Sequence, residues 1–160
     1  MKYTKEQNIE FMRKAIALSD ESVDAGGGPF GAVIVKDGKV VGAAANRVTL
    51  NNDPTAHAEV MAIREACQNL NTFDLSGCTL YASCEPCPMC LSAIYWARID
   101  EYFYANDKND AKSIDFDDAF IYEEIDKKPE ERYIKRGQII RDEAIKVFEK
   151  WRVKDDKVRY

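Results

Sequence analysis

The residues best suited to chemistry lie in two short stretches of the chain. His57-Ala58-Glu59 contains the only histidine, and Pro86-Cys87-Pro88-Met89-Cys90 contains two cysteines three positions apart. One imidazole nitrogen and two thiolates can hold a divalent metal ion at three corners of a tetrahedron and leave the fourth corner for water. A site with an open corner is suited to catalysis rather than to structural support.

Zinc is the metal that this set of ligands favours. Zn²⁺ lowers the pKa of a bound water to about 7, which makes a hydroxide nucleophile available at neutral pH. A carboxylate beside that water can act as general acid and base. We therefore expect Zn²⁺ to be held by His57, Cys87 and Cys90, and we expect Glu59 to be the catalytic residue that moves protons.

Two other interpretations of these cysteines remain open from the residues alone. Cys84 lies three positions before Cys87 and would complete a closed, structural site of three cysteines and one histidine, which would leave Glu59 without a role. Alternatively, Cys87 and Cys90 are small buried hydrophobic residues, as free cysteines often are. The occurrence of H-x-E together with P-C-x-x-C favours the open, catalytic site.

Length and composition indicate a single globular domain over residues 1–160. Hydrophobic residues make up 46% of the chain and charged residues 32%, and no apolar run approaches the ~18 residues of a membrane span. The five cysteines are an odd number, and the N-terminus lacks the pattern of a secretory signal. We expect a cytoplasmic protein in which cysteines are metal ligands or core residues rather than disulfides.

Charge is distributed unevenly along the chain. Residues 1–126 hold 11 Lys and Arg against 21 Asp and Glu, whereas residues 127–160 hold 12 against 7. A basic C-terminal segment can contact nucleic acid or an acidic protein surface. Because its basic residues are interleaved with acidic ones, we favour docking on an acidic surface of this chain or of a partner.

Turn and capping residues predict an alternation of helices and strands. Thr4 and Gln7 form a capping-box pattern before a helix, and Asp37-Gly38 between two apolar runs predicts a hairpin. Asp53 followed by Pro54 favours a helix start there. The predicted helices are 5–24, 54–70, 88–97 and 142–152, with one or two further helical turns within 107–128. The predicted strands are 30–35, 39–48, 78–83 and 101–106, with a further candidate at 134–140.

This order predicts an α/β fold, a three-layer α/β/α domain with a central mixed sheet. His57 and Glu59 would lie in the opening turns of the second long helix, and Cys87 and Cys90 at the start of the third. Two helix N-termini would thus face one metal site, where their positive dipole ends favour thiolates and developing negative charge.

The two motifs and their surroundings resemble the cytidine/deoxycytidylate deaminase superfamily. The matching runs are 28–33 (GPFGAV), 52–59 (NDPTAHAE) and 83–90 (SCEPCPMC), and H-x-E with P-C-x-x-C is the signature of zinc-dependent nucleobase deaminases. The resemblance implies hydrolytic removal of an amine from a heteroaromatic ring, in a domain with the cytidine-deaminase fold.

Within the superfamily, the chain resembles bacterial guanine deaminases over nearly its whole length. The runs that carry this resemblance are 45–49, 90–98, 116–122 and the end of the chain at Tyr160. It implies conversion of guanine to xanthine and ammonia, with Asn46 and Asp118 bonded to the purine edge and Phe30 and Trp96 on the ring faces. It also implies a backbone carbonyl near Ser83 for the leaving amine. Without the resemblance, Asn46 would be a turn residue, Asp118 a helix cap, and both aromatic residues core.

The same resemblance implies a homodimer in which the C-terminal segment, residues 127–160, is exchanged and Tyr160 closes the partner's pocket. The substrate would be a small purine base, and we expect no membrane partner and no nucleic-acid partner. A tRNA adenosine deaminase shares both zinc motifs and is the leading rival, although the acidic body of the chain disfavours RNA. A deaminase of cytosine or of another amino-heterocycle is also compatible with the motifs, as is a zinc-stabilised binding module without turnover.

Overall fold

The computed structural model describes residues 2–160. Helices and strands alternate through the first two thirds of the described chain, and helices alone follow. In chain order the elements are α1 Lys5–Asp24, β1 Gly31–Lys36, β2 Lys39–Ala45, α2 Val48–Asn51, α3 Ala58–Leu70, β3 Thr79–Cys84, α4 Pro88–Trp96, β4 Glu101–Asn106, α5 Lys108–Lys112, α6 Ala119–Asp126 and α7 Arg141–Arg152.

The sheet has the order β2-β1-β3-β4 and is mixed, as predicted. Strand β1 pairs antiparallel with β2 and with β3, whereas β3 and β4 run parallel. The hairpin between β1 and β2 turns at Asp37 and Gly38, whose positive φ angles of 50° and 75° suit a tight two-residue turn. The parallel pair β3–β4 is joined by α4, the crossover helix that such a pair requires.

Alternate residues of the central strands face two separate hydrophobic clusters, which gives the predicted three layers. Val33, Val35 and Tyr81 pack with α1 through Phe11 and Ala15. The opposite face of the sheet packs against α3 and α4, with a core formed by Ala32, Ile34, Leu80, Ala82, Ala58, Ala62, Ala66 and Ile94. The small alanine side chains of α3 let this helix lie close to the sheet, and a Cβ at Gly42 of β2 would come within 2.4 Å of the Ala62 carbonyl oxygen. This close packing fixes the position of the N-terminus of α3.

Tyr81 connects the sheet to α1 by a polar contact within the core. Its side chain is fully buried, and its hydroxyl donates a hydrogen bond to the Asn8 side-chain oxygen. Burial raises the pKa of Tyr81 to about 12. The phenol is thus held neutral by its surroundings.

Most predicted elements are confirmed, and two boundaries are wrong. Strand β2 ends at Ala45 rather than near residue 48, because the Asn46 side-chain oxygen accepts a hydrogen bond from the Val48 N–H and turns the chain into α2. Helix α3 begins at Ala58 rather than near Asp53. The Asp53 carboxylate instead accepts hydrogen bonds from the main-chain N–H and hydroxyl of Thr55, which closes a separate turn.

The described chain forms two compact units, one ending at Ala119 and one beginning at Phe120. The C-terminal unit therefore begins before residue 127, where the basic composition begins. It contains most of α6 and all of α7, and the strand predicted for residues 134–140 is wrong, because these residues form neither helix nor strand. An isolated apolar segment cannot form a strand without a neighbouring strand to pair with.

The C-terminal unit exposes most of its large apolar side chains. On α7, Val147, Phe148 and Trp151 share one face by their helical spacing, and all three are exposed. A segment of this size cannot bury a core of its own. No helix within residues 2–160 is long and apolar enough to cross a membrane.

Candidate active site

His57 and Cys87 occupy equivalent positions in two helices. Each is the residue immediately before the first helical residue, His57 before α3 and Cys87 before α4, and each has an extended backbone. Pro88 follows Cys87 as the first residue of α4, a position where the missing N–H of proline costs nothing. Both side chains therefore project from helix N-termini, as the sequence suggested, although His57 precedes its helix instead of lying within it.

The third donor, Cys90, lies in the first turn of α4 and is fully buried. The Sγ atoms of Cys87 and Cys90 are each 3.5 Å from Nδ1 of His57, and the three donor atoms all lie within 4.8 Å of one another. In a tetrahedral site with Zn–S bonds of about 2.3 Å and a Zn–N bond of about 2.0 Å, a sulfur and a nitrogen ligand are about 3.5 Å apart. The donor set and its spacing therefore fit Zn²⁺.

The electrostatics of these donors show why a cation is needed between them. The pKa of Cys87 is lowered to about 4, chiefly because the Cys90 thiol donates a hydrogen bond to it and also because His57 does. The pKa of Cys90 is raised, because Cys90 is the donor in that hydrogen bond and is buried beside acidic neighbours. One thiolate thus opposes the formation of the second, and a bound divalent cation removes this opposition.

Glu59 is the second residue of α3 and only 7% exposed. Burial raises the pKa of its carboxyl group, and its Oε2 lies 3.4 Å from the Sγ of Cys90. A buried carboxyl group with a raised pKa can hold a proton at neutral pH and release it to a stronger base. Glu59 is therefore beside the metal donors without being needed as a ligand.

Cys84 lies outside the donor cluster, which decides against the closed four-ligand site. Its thiol donates a hydrogen bond to the main-chain carbonyl of Asp107 at 3.7 Å. Burial raises the pKa of Cys84 to about 11, and its sulfur is not among the donor atoms that lie within 4.8 Å of one another. The described residues that can hold the metal are thus the three that the sequence predicted.

Asn46 is buried at the end of β2, and three of its polar groups are occupied. Its N–H donates to the Phe30 carbonyl at 2.9 Å, its side-chain oxygen accepts from the Val48 N–H at 3.1 Å, and its carbonyl accepts from the Ser22 hydroxyl at 3.2 Å. Among the residues that the structure describes, none accepts a hydrogen bond from its NH₂ group. Asn46 therefore offers a donor to a ligand.

Asp118 lies close enough to the metal donors to interact with them electrostatically. Burial raises the pKa of Asp118, and the Cys87 thiolate raises it further. The capping role belongs instead to its neighbour Asp117, whose carboxylate accepts from the Ala119 N–H at 3.0 Å and pairs with Lys112 at 2.9 Å. The structure therefore places the Asp118 carboxylate within electrostatic range of the cluster.

Phe30 and Ser83 lie where β1 begins and β3 ends. The Phe30 ring meets the ring of Phe116 edge to face, with centroids 4.9 Å apart. The Ser83 hydroxyl accepts a hydrogen bond from the Gly31 N–H at 3.0 Å, which ties these two strand ends together. Phe116 belongs to the run 116–122 that carries the resemblance, and its ring is in direct contact with Phe30.

Comparison with known proteins agrees with this geometry. Residues 5–106 match the family described as the cytidine and deoxycytidylate deaminase zinc-binding region. The chain belongs to this deaminase family. The matched residues contain all three metal donors and Glu59.

The deaminase is similar to guanine deaminases over most of its length. It is 54% identical to guanine deaminase of Bacillus subtilis over 151 residues, which are 94% of this chain and 97% of the relative. The X-ray structure of guanine deaminase from that organism superposes with a TM-score of 0.93 at 52% identity, covering 99% of both chains. The tRNA-specific adenosine deaminase of Aquifex aeolicus is 43% identical over 95 residues, 59% of this chain and 63% of that protein.

Two further predicted site residues of the deaminase are Trp96 and Tyr160. Trp96 lies away from the metal donors, and Tyr160 belongs to the C-terminal unit. Trp96 is the last residue of α4 and 68% exposed, and nine residues of helix separate it from Cys87 by about 13 Å along the axis. Tyr160 ends the C-terminal unit and is exposed. Within one chain, Trp96 therefore does not join the cluster formed by His57, Cys87 and Cys90.

Sequence reasoning missed Ser22, a buried residue of α1 that contacts Asn46. Its position gave one usable signal: a serine lies on the helix face that otherwise buries Phe11 and Ala15. A polar residue on an apolar face indicates a specific hydrogen-bond partner. The partner itself is 24 positions away and was not predictable from the pattern.

Proposed function

We propose that the protein catalyses the hydrolytic deamination of guanine to xanthine and ammonia. The observation that carries this proposal is the extent of the similarity to guanine deaminase of Bacillus subtilis, which leaves only nine of the 160 residues unmatched. It therefore includes most of the C-terminal unit, whereas the similarity to tRNA-specific adenosine deaminase of Aquifex aeolicus covers 59% of the chain.

The residues of the site divide the chemistry among them. Bound zinc, held by His57, Cys87 and Cys90, supplies an activated water at neutral pH. As the oxygen of that water bonds to C2, Glu59 would accept one of its protons and deliver it to N3 of the ring; Glu59 would then take the second proton from the hydroxyl on C2 and pass it to the amine, so that the C2–N bond breaks and ammonia leaves. Burial of Glu59 supports this role, because a raised pKa keeps the carboxyl group able to hold a proton between these two transfers.

Recognition of the ring is assigned to Asn46 and Asp118. The NH₂ group of Asn46 suits the oxygen at position 6 of guanine, an acceptor where adenine carries an amino donor. The Asp118 carboxylate suits N1–H and the 2-amino group of guanine, which are donors, whereas N1 of adenine is an acceptor. A base with the wrong pattern would leave buried polar groups unpaired, which is the strongest means of rejecting it.

The faces of the ring and the leaving amine are assigned to other residues of the same region. Phe30 would form an aromatic wall against one face of the purine. The edge-to-face contact with Phe116 supports this role, because it fixes the Phe30 ring. A backbone carbonyl near Ser83 would accept a hydrogen bond from the departing amine. The tie between the Ser83 hydroxyl and the Gly31 N–H supports a fixed position for this carbonyl.

A homodimer is part of the proposal, with the C-terminal unit docked on a second copy and Tyr160 closing the partner's pocket. The exposed apolar face of α7 supports it, since an amphipathic helix is stable only when that face is covered.

The N-terminal unit has an exposed aromatic surface at α4 and the edge strand β4, formed by Tyr95, Trp96, Tyr102 and Tyr104. Trp96 would then meet substrate or partner across the subunit boundary. The opposite charges of residues 1–126 and 127–160 also favour docking between copies.

The cytoplasm is the compartment that suits this chemistry. All five cysteines are free in the structure, and two of them must remain thiolates to bind metal. A reducing compartment keeps Cys87 and Cys90 from pairing with each other. A nucleic-acid partner is not part of the proposal, because the acidic residues 1–126 would repel phosphates.

The proposal is tested by ammonia release from the zinc-loaded protein with guanine, adenine, cytosine, cytidine, guanosine and a tRNA anticodon stem-loop. We expect release from guanine alone, with xanthine as product, and none from the Glu59→Gln variant. Release from the stem-loop alone would overturn the proposal in favour of tRNA adenosine deamination. Release from none of them by a fully zinc-loaded protein would favour a binding module.

A further inference from the structure

Ser22 is a polar side chain on the buried face of α1, near the end of this helix. It is 3% exposed and follows Phe11 and Ala15 on the face that packs against the sheet. A buried hydroxyl costs free energy unless it is hydrogen-bonded. Its Oγ donates to the main-chain carbonyl of Asn46 at 3.2 Å, so the partner of this hydroxyl is the residue assigned to the purine edge.

The glycine loop after α1 packs directly on this contact. The Ser22 carbonyl accepts a hydrogen bond from the Gly27 N–H at 2.7 Å. A Cβ on Gly27 would lie 2.5 Å from the Ser22 Oγ and 2.8 Å from the Asn46 carbonyl oxygen, so only glycine fits here. Ser22, Gly27 and Asn46 are thus in close contact, and a shift of the hydroxyl would be passed to the Asn46 backbone.

The NH₂ group of Asn46 takes its direction from the groups that hold the rest of the residue. Phe30 holds its N–H, Val48 holds its side-chain oxygen, and Ser22 holds its carbonyl. Two of these three contacts come from the backbone of neighbouring segments and cannot be removed by a side-chain change. Within residues 2–160, the Ser22 hydroxyl makes the one side-chain hydrogen bond to the Asn46 main chain.

We infer that Ser22 is a positioning residue for purine recognition. It does not touch the substrate; by holding the Asn46 carbonyl, it sets the direction in which the Asn46 NH₂ group donates to the oxygen at position 6 of the ring. The role rests on the proposed function, because that ring oxygen belongs to guanine. The end of α1, far in sequence from the metal motifs, thereby contributes to substrate selection.

Kinetics of a double-mutant cycle test this role. Asn46 contacts the ring away from C2, so Ser22→Ala should raise KM for guanine about tenfold and change kcat less. In an Asn46→Ala background, Ser22→Ala should have no further effect on KM, because the group that it positions is gone. Ser19→Ala is the matched control: the Ser19 hydroxyl donates to Ile16 within α1, and we expect unchanged kinetics. Equal effects of Ser22→Ala in both backgrounds would overturn the inference.

A spectroscopic measurement separates this inference from the proposed function. The side-chain NH₂ signals of Asn46 in an amide nitrogen–proton NMR spectrum are identified by their loss in Asn46→Ala. They should shift in Ser22→Ala and stay in place in Ser19→Ala. Signals that stay in place in Ser22→Ala would overturn the inference whatever the substrate is. If they shift while the wild type fails to deaminate guanine, the positioning role stands and the proposed function fails.

Discussion

Nδ1 of His57 lies 3.5 Å from the Sγ of Cys87, although the two residues precede different helices on opposite sides of β3 in the chain. Helix α3 precedes β3 and α4 follows it, so β3 returns the chain from the C-terminal end of α3 to the end of the sheet at which α3 starts, and α4 starts there as well. The free N–H groups of two helix N-termini then surround the donors and favour negative charge there. The metal site thus results from the placement of α3 and α4 on one face of the sheet.

The first prediction concerns Glu59. The Glu59→Gln variant should retain zinc and lose about 10³-fold in turnover, because the amide keeps the shape of the side chain but cannot carry the proton. Metal content and ammonia release, measured on the same preparation, check that zinc is retained and that turnover is lost. A variant with a near-normal rate would remove Glu59 from the mechanism.

The second prediction separates the metal ligands from a nearby cysteine. Cys87→Ser should lose bound zinc, whereas Cys84→Ser should keep one zinc per chain, because the Cys84 thiol bonds to the Asp107 carbonyl and a hydroxyl can do the same. Metal analysis after exhaustive dialysis gives the stoichiometry of each variant. Equal loss from both variants would restore the closed four-ligand site.

The third prediction compares two adjacent carboxylates. Asp118→Asn should raise KM for guanine between about tenfold and about a hundredfold, the range expected for loss of hydrogen bonds to a charged group. Asp117→Asn is the control, because that carboxylate pairs with Lys112 and caps α6 instead. Steady-state kinetics of the two variants provide the test, and similar KM values for both would argue against a substrate contact at Asp118.

The fourth prediction concerns the end of the chain. Deletion of the residues after Trp151 should lower guanine turnover and leave zinc bound, because Tyr160 is proposed to close the pocket of the partner. Kinetics and metal content of the truncated protein provide the first check.

Mixing two impaired variants then distinguishes exchange between subunits from closure within one chain. One variant carries Glu59→Gln with an intact tail, and the other carries Glu59 with the tail deleted. After the two are refolded together, mixed dimers should regain activity, because an intact Glu59 then meets an intact tail from its partner. A mixture with no more activity than the sum of its components would show that the tail acts on its own chain.

The fifth prediction is a pH dependence of stability. The pKa of Tyr81 is raised to about 12 by burial, above the value near 10 of an unfolded tyrosine. The folded state therefore holds this proton more tightly, and its contribution to stability, complete below about pH 10, should fall as pH rises from about 10 towards about 12. Urea unfolding of the wild type and of Tyr81→Phe across this range should show a shallower decline in the variant. The exposed Tyr133→Phe is the control, and an equal decline in all three proteins would contradict the prediction.

The metal site was largely predictable because its residue types are specific. Few combinations of residue types bind Zn²⁺ and leave one coordination position open, and His57 with Cys87 and Cys90 is one of them. The short spacing between the two cysteines places both at the start of one helix. The hairpin and α1 were also predictable, because Asp37-Gly38 and the capping box at Thr4 act through neighbouring residues alone.

The features that sequence reasoning missed depend on contacts between distant residues. The start of α3 was placed too early because the Asp53 carboxylate closes its own turn with Thr55, an arrangement as compatible with the pattern as a helix cap. The contact of Ser22 with Asn46 exists only once α1 has packed beside β2. The strand predicted for residues 134–140 had suitable composition but has no strand to pair with in the chain.

The donor cluster also has a mechanical consequence. His57 and Cys90 belong to segments separated by more than thirty residues, and the described cysteines form no disulfide. A metal ion bound to these side chains closes that length of chain into a loop, as a covalent cross-link would. Loop closure lowers the conformational entropy of the unfolded chain, and the effect grows with the length of the loop. The ion that the reaction needs is therefore also a clamp between α3 and α4, and a chain that loses it becomes easier to unfold at the same moment that it becomes inactive.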